Sequence, residues 1–364
     1  MQLSPPLIRH RAHSAGLLPV VVSLVVSLVA SACGGGASSE SPAAESESPA
    51  SGLATKCVGH RTAEAEGWVE PLRPEPEPNL PVTVTDVTGQ SVTVDDASRI
   101  LALDTYGTLA TTVYALGLGD RLVGRDISTG VPALGGLPVV TANGHELQAE
   151  AILDLDPSVI LTDYSIGPLE VQLQMKDAGI PVVILDDHRS RATIGEQILA
   201  VAAALGVSEA GEKLASKVEA DIVAAEAEVA ALAEASPMKD LRMVFLYLRG
   251  TAGVFYWFGE GSGADDLIAS LGGVDVAKQV ELDGYKPINA EGLVKAAPDM
   301  FLLMSGGLDS VGGVSGLAEI PGVAETQAGV NECVVDMADS QILSFGPQYP
   351  ATLSALGRAV FAEN

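Results

Sequence analysis

Residues 208–235 read SEAGEKLASKVEADIVAAEAEVAALAEA, a long run with the pattern of a single helix. It holds no proline and one glycine, Gly211, and its other residues are mostly strong helix formers. Ser208 is placed to cap its start with Glu212 in the first turn, and Ser236-Pro237 supplies the stop. At 1.5 Å per residue such a helix spans about 40 Å. Its apolar positions (Leu214, Val218, Ile222, Val229, Leu232) make one thin stripe, while Glu219, Asp221, Glu226, Glu228 and Glu234 look outward. One narrow stripe does not build a core. The spacing predicts a rod lying across two bodies.

The flanking sequences echo each other. Ala149-Glu150-Ala151-Ile152-Leu153 precedes Asp156-Pro157-Ser158-Val159-Ile160-Leu161, and Ala290-Glu291-Gly292-Leu293-Val294 precedes Ala297-Pro298-Asp299-Met300-Phe301-Leu302-Leu303. Each reads as a short helix, a proline and a hydrophobic strand, with equal spacing from Ala-Glu to Pro. A second echo pairs Ala115-Leu116-Gly117-Leu118-Gly119-Asp120 with Ser270-Leu271-Gly272-Gly273-Val274-Asp275. Two echoes in the same order imply two related α/β lobes. A rod with two lobes favours a binding cleft.

The chain of 364 residues has room for two domains. Lys and Arg number 20 against 47 Asp and Glu, a formal net charge of −27. That excess argues against nucleic acid and against docking on anionic lipid. Aromatic residues are only 4%, so each tyrosine and tryptophan carries information.

Arg9, His10 and Arg11 precede an apolar run at residues 17–30, which is shorter than the ~20 residues of a membrane span. The run ends in Ala30-Ser31-Ala32-Cys33-Gly34 and resembles a bacterial lipoprotein signal peptide, with Ala30 where a leucine usually stands. That resemblance implies that Cys33 is lipidated and anchors the chain outside the cytoplasm; an ordinary secretory signal is the alternative. Residues 34–81, rich in Ser, Glu and Pro, read as a disordered tether. Outside the cytoplasm Cys57 and Cys333 become candidates for a disulfide, against two unrelated thiols.

In the first lobe, residues 82–207, an alternating hairpin at 82–94 is followed by strands near 99–103, 159–162 and 182–185, with helices between them. Such alternation implies a mostly parallel sheet covered on both faces. Ligands of such sheets lie beyond the carboxyl ends of the strands. This points to Asp104-Thr105-Tyr106, Asp163-Tyr164, Asp186-Asp187-His188 and Asn143-Gly144-His145-Glu146. In the second lobe, residues 237–364, period-two geometry puts Phe245, Tyr247 and Arg249 on one strand face. A guanidinium two residues from a phenol on that face favours phenolate. Residues 259–264 match G-x-G-x-x-A, a weak signal alone, read here as a tight loop with backbone donors.

At these residues the sequence resembles the solute-binding proteins of ABC importers that have a rigid interdomain helix, and within them the haem-binding lipoproteins of the HmuT family. The matching motifs are Asn143-Gly144-His145-Glu146-Leu147, Tyr247-Leu248-Arg249-Gly250, Gly261-Ser262-Gly263-Ala264-Asp265-Asp266-Leu267 and Gly284-Tyr285-Lys286-Pro287. The resemblance implies an α/β fold of two doubly wound lobes (82–207 and 237–364) joined by one helix (208–236), as in class III periplasmic binding proteins. It implies ferric haem as transported ligand, His145 and Tyr247 on opposite faces of the iron, Arg249 hydrogen-bonded to the tyrosine, and Tyr285 at the porphyrin. It further implies an ABC permease and its ATPase as partners, with Glu170 and Asp309 as acidic docking residues. Gln348 stands where the family often has an arginine.

Each residue taken singly has a plainer reading: His145 as a surface histidine, Tyr247 as a half-buried strand aromatic, Arg249 as a surface charge. His188 fits a solvated loop. Tyr106, Tyr164, Tyr256, Trp257, Tyr285 and Phe345 are candidates to line an apolar slot. A ferric siderophore or cobalamin on the same fold is the alternative ligand. A free metal ion wants three or four protein ligands, which two histidines in the lobes serve poorly. No G-x-S-x-G, H-E-x-x-H or Walker loop is present, so an enzyme is not expected.

Overall fold

A computed structural model describes residues 57–238 and 240–361. The signal-peptide reading, with Cys33, falls outside them. Among the described residues no helix is long and apolar enough to cross a membrane.

The rod forms as one helix, Ser208–Ala235. Its cap differs from expectation: Val207 is the N-cap, with no side-chain cap, and Ser208 is already helical. Leu214, Val218, Ile222 and Val229 are buried as the stripe requires, while Leu232 is half-buried. The first half packs on the helix Ile194–Ala204 of the first lobe and the second half on Tyr349–Phe361 of the second. Both contacts are backbone-close, for a Cβ on Gly211 would lie 2.4 Å from Ala202 and one on Gly357 2.5 Å from Val229. Such interdigitation leaves little play between rod and lobes.

The first lobe holds a parallel sheet in the order Ile100–Leu103, Val159–Thr162, Val182–Ile184. Its strands are buried on both faces, with Leu101, Leu103 and Ile160 facing a core of the lobe's own and Ile100, Ala102 and Val159 facing the core shared with the rod. The hairpin pairs Val82–Thr85 with Ser91–Val94. The second lobe holds a mixed sheet in the order His60–Ala63, Val334–Met337, Met300–Met304, Arg242–Arg249, Val254–Phe258, Tyr285–Pro287. The first four of these run parallel and the last two are antiparallel additions. Val274–Asp275 also pairs with the start of Arg242–Arg249.

The sequence echoes are structural. The helices Ala149–Asp154 and Ala290–Ala296 each end in a residue of positive φ before proline, Asp156 at 43° and Ala297 at 44°. An arginine at the start of the neighbouring strand reaches each of these turns: Arg99 Nε donates to Asp156 O at 2.9 Å and Arg242 Nε to Ala297 O at 3.0 Å. Both guanidiniums thereby satisfy carbonyls that the helix ends leave open and complement the helix dipoles. Register agrees, with Ile100 opposite Val159 and Met243 opposite Met300. The two lobes repeat one unit.

Residues 57–81, expected as the end of a disordered tether at 34–81, are instead folded onto both lobes. His60–Ala63 adds a parallel strand to the second sheet. The chain then crosses to the first lobe, where Leu72 N donates to Ala115 O at 2.9 Å and Asn79 N to Gly206 O at 2.9 Å. Proline-rich sequence has few backbone donors and suits an extended strap that borrows partners from neighbouring elements. Cys57 and Cys333 are joined at its start, with Cα atoms 5.5 Å apart.

Candidate ligand-binding cleft

A cavity of about 590 Å³ opens between the lobes at the carboxyl ends of both sheets, within the range of small-molecule sites. Both sequence-derived residues reach it, His145 from the first lobe and Tyr247 from the second.

His145 follows Asn143 (φ 49°) and Gly144 (φ 93°) at the tip of a tight turn between Thr141–Ala142 and Glu146–Leu147. Asn tolerates the left-handed conformation and Gly has no Cβ to resist it, which explains the Asn-Gly before the histidine. Ser128 Oγ lies 3.4 Å from His145 Nδ1, leaving Nε2 for a ligand. Burial lowers the His145 pKa, the Arg249 charge lowers it further, and Asp104 partly opposes them. The imidazole is therefore biased towards its neutral, metal-competent form.

Tyr247 lies on the strand Arg242–Arg249, and antiparallel pairing sets its neighbours. Tyr256 is directly opposite Tyr247, Phe258 opposite Phe245, and Tyr285 opposite Phe258. Directly opposed residues share a face. The result is an aromatic wall: Tyr247 stacks on Phe258 with centroids 5.5 Å apart, and Tyr285 meets Tyr256 edge-on at 5.6 Å. Tyr285 is 65% exposed, an aromatic left open beside the cavity.

Arg249 differs from the expected arrangement. Its guanidinium lies over the Tyr247 ring, 4.6 Å from the centroid. It donates to Leu248 O at 3.0 Å and pairs with Asp339 at 3.1 Å. Among the described residues no hydrogen bond joins it to the Tyr247 hydroxyl. Residues two apart project the same way from one strand face, so the guanidinium lies alongside the ring.

Tyr106 and Tyr164 line the first-lobe side, but Trp257 and Phe345 do not line the cavity. Trp257 is opposite Leu246, so period-two geometry turns it into the second lobe's own core. Phe345 is buried against Tyr349 in the shared core. Gln348 serves the strap, accepting from Val69 N at 2.7 Å and donating to Gly67 O at 3.3 Å. His188 reaches the cavity edge from an exposed position. Glu170 and Asp309 are both exposed, on the helices Leu169–Asp177 and Ser305–Ser310.

Sequence reasoning missed the brace behind the first-lobe wall. The buried Arg189 pairs with Asp104, just after one strand, and with Asp163, just after the next. It also donates to Asp186 O at 2.7 Å, in the loop after the third, and lies over the Tyr106 ring at 5.5 Å. One guanidinium ties together three loops that line the cavity. Burial and the Asp104 charge raise nearby Asp126 to about 7 and Asp163 to about 6. The signal was present as a carboxylate directly after each of the first two strands, Asp104 and Asp163.

A family model described as periplasmic binding protein matches residues 105–340. The chain is 25% identical over 232 residues to the uncharacterized ABC transporter substrate-binding lipoprotein YvrC of Bacillus subtilis, covering 62% of this chain and 70% of that one. Among solved structures it is similar to the heme binding protein HmuT, at 45% identity and a TM-score of 0.80, covering 84% of this chain and 98% of that one. Forms of HmuT with a histidine, a tyrosine, or an arginine two positions beyond that tyrosine replaced by alanine match as well. The periplasmic heme-binding protein RhuT of Roseiflexus sp. RS-1 is 35% identical with a TM-score of 0.67, covering 73% of this chain and 98% of that one. Two repeated lobes, a rod between them and a cleft at the strand ends thus accompany a match over most of the folded chain, which belongs to the periplasmic binding protein family.

Proposed function

We propose that this chain captures ferric haem in the cleft between its lobes and delivers it to an ABC importer. The observation that carries the reading is the placement of His145 and Tyr247, one per lobe, on the same aromatic-walled cavity. Ferric iron is hard and takes a phenolate oxygen well, and a neutral imidazole is a common ligand for its other face. Tyr256, Phe258 and Tyr285 offer apolar surface to a porphyrin, and Arg249 supplies positive charge beside the phenol. The similarity to HmuT and RhuT supports haem over other ligands of this class. Capture and hand-over, not turnover, is the activity.

The protein works outside the cytoplasm. We assign Cys33 as the lipidated anchor and Glu170 and Asp309 as the residues that meet basic groups on the permease. The close-packed rod permits small lobe displacements, so release depends on the permease prying the cleft open.

The test is an absorption titration with ferric haem on wild type, His145→Ala and Tyr247→Ala. A saturable Soret band that changes shape in both variants is expected. A band unaltered by either substitution would keep haem and discard this site. No saturable band in wild type would favour a ferric siderophore or cobalamin in the same cleft.

A further inference from the structure

Arg249 ends its strand, directly before Gly250, and its side chain is 30% exposed. Its Nη1 is tied to Leu248 O at 3.0 Å, and the Nη2 end is free to swing into solvent unless something holds it too. Asp339, in the loop after the parallel strand Val334–Met337, is placed to do so. Its Oδ2 lies 3.1 Å from Arg249 Nη2, and its Oδ1 accepts from Gly306 N at 2.8 Å. The approach to Gly306 is close: a Cβ there would lie 3.0 Å from both carboxylate oxygens. A relay therefore runs from the Gly306 N–H through Asp339 and Arg249 to the face of Tyr247.

We infer that Asp339 is a positioning residue for haem ligation, holding the Arg249 guanidinium on the Tyr247 ring where its charge favours the iron–phenolate bond; the inference rests on the haem reading above. Asp339 also lines the cavity, so its negative charge by itself would repel a ligand bearing carboxylates. The two roles have opposite signs. As a holder of Arg249 it strengthens binding, and as a bare charge it weakens binding. The pair is partly exposed and contributes little to folding, so its removal leaves the lobes intact.

The test is ferric haem titration of the full chain as wild type, Asp339→Ala, Asp339→Asn, Arg249→Ala and the double variant Asp339→Ala/Arg249→Ala. The phenolate-to-iron charge-transfer band is read beside the Soret band. Asp339→Ala and Asp339→Asn are each expected to weaken binding by roughly three- to tenfold and to move the charge-transfer band in the same direction as Arg249→Ala. In the Arg249→Ala background only the bare charge of Asp339 remains, so its loss should weaken binding no further and leave it equal or slightly tighter. Gly306→Ala, which shifts the carboxylate by only a few tenths of an ångström, should weaken binding less than Asp339→Ala does. The inference is overturned if Asp339→Ala binds like wild type or tighter, or if its loss is undiminished without Arg249. A wild type lacking a saturable Soret band would overturn this inference and the haem reading together, whereas a normal wild-type band with an indifferent Asp339→Ala overturns this inference alone.

Discussion

The Arg249 guanidinium rests on the face of the Tyr247 ring, 4.6 Å from its centroid. In that position it acts through charge and through the flat shape of its delocalised group. A lysine keeps the charge but loses the planar stack and the fork that meets Asp339. Arg249→Lys is therefore expected to retain tyrosine ligation while weakening haem binding by about two- to tenfold, the scale of a cation–π contact. Arg249→Ala should lose more and shift the charge-transfer band. Titration of the three proteins side by side checks the order, and equal affinities for Lys and wild type would show that charge alone matters.

The His145 pKa is lowered from its ordinary 6.5, by burial first and by Arg249 second, with Asp104 opposing. The folded protein therefore keeps the imidazole neutral to lower pH than free histidine would. In the haem-free protein the His145 imidazole, followed by NMR, should protonate with a midpoint below 6.5. A midpoint above 6.5 would contradict the burial argument.

The architecture was readable wherever a local pattern carried it. The rod declares itself by its composition and the lobes by the repeated helix–proline–strand. Tyr247 and Arg249 follow from period two on one strand. The rest depends on pairings that no local pattern encodes. Trp257 and Tyr256 are adjacent in sequence, and only the register opposite Arg242–Arg249 tells which faces the cavity. Gln348 looked like a departure at the ligand, yet it lies 281 residues from Gly67, its partner in the strap. Arg189 meets carboxylates 85 and 26 residues away, across two crossovers of the sheet. Residues 57–81 have the composition of a spacer and are ordered by partners elsewhere in the chain.

Asp126 and Asp163 give the first lobe a pH dependence of defined sign. Their values, about 7 and about 6, stand above the 3.8 of an unperturbed aspartate, because of burial and then the Asp104 charge. The folded chain thus holds more protons than the unfolded chain between about pH 4 and about pH 7, and stability falls as pH rises through that window. Asp126→Asn replaces the titrating group by a neutral one of similar shape. The thermal midpoint of wild type should drop between about pH 5 and about pH 7.5 by more than that of Asp126→Asn. Asp86 and Glu219 are shifted the other way and act only at lower pH. Parallel pH profiles for the two proteins would remove Asp126 as the source.

The bond between Cys57 and Cys333 spans 276 residues of sequence and closes the edge of the second sheet where the strap begins. The strand it secures is short, four residues from His60 to Ala63, and a strand of that length at a sheet edge frays easily. Arg61 and His60 help to hold it, the first donating to Ala359 O at 2.7 Å and the second meeting Asp336 at 2.6 Å. A double Cys57→Ser/Cys333→Ser protein is expected to lose about 2–4 kcal/mol, with the loss concentrated at the strap. Limited proteolysis should then cut first within residues 57–81, while the rod and the cleft residues stay protected and haem binding persists. The same peptides in the unsubstituted protein should appear as one cross-linked species before reduction and as two after it. Loss of haem binding in step with strap cleavage would instead mean that the strap holds the lobes in their binding geometry, since it is bonded to the first lobe at Ala115 and Gly206 and to the second at Gln348.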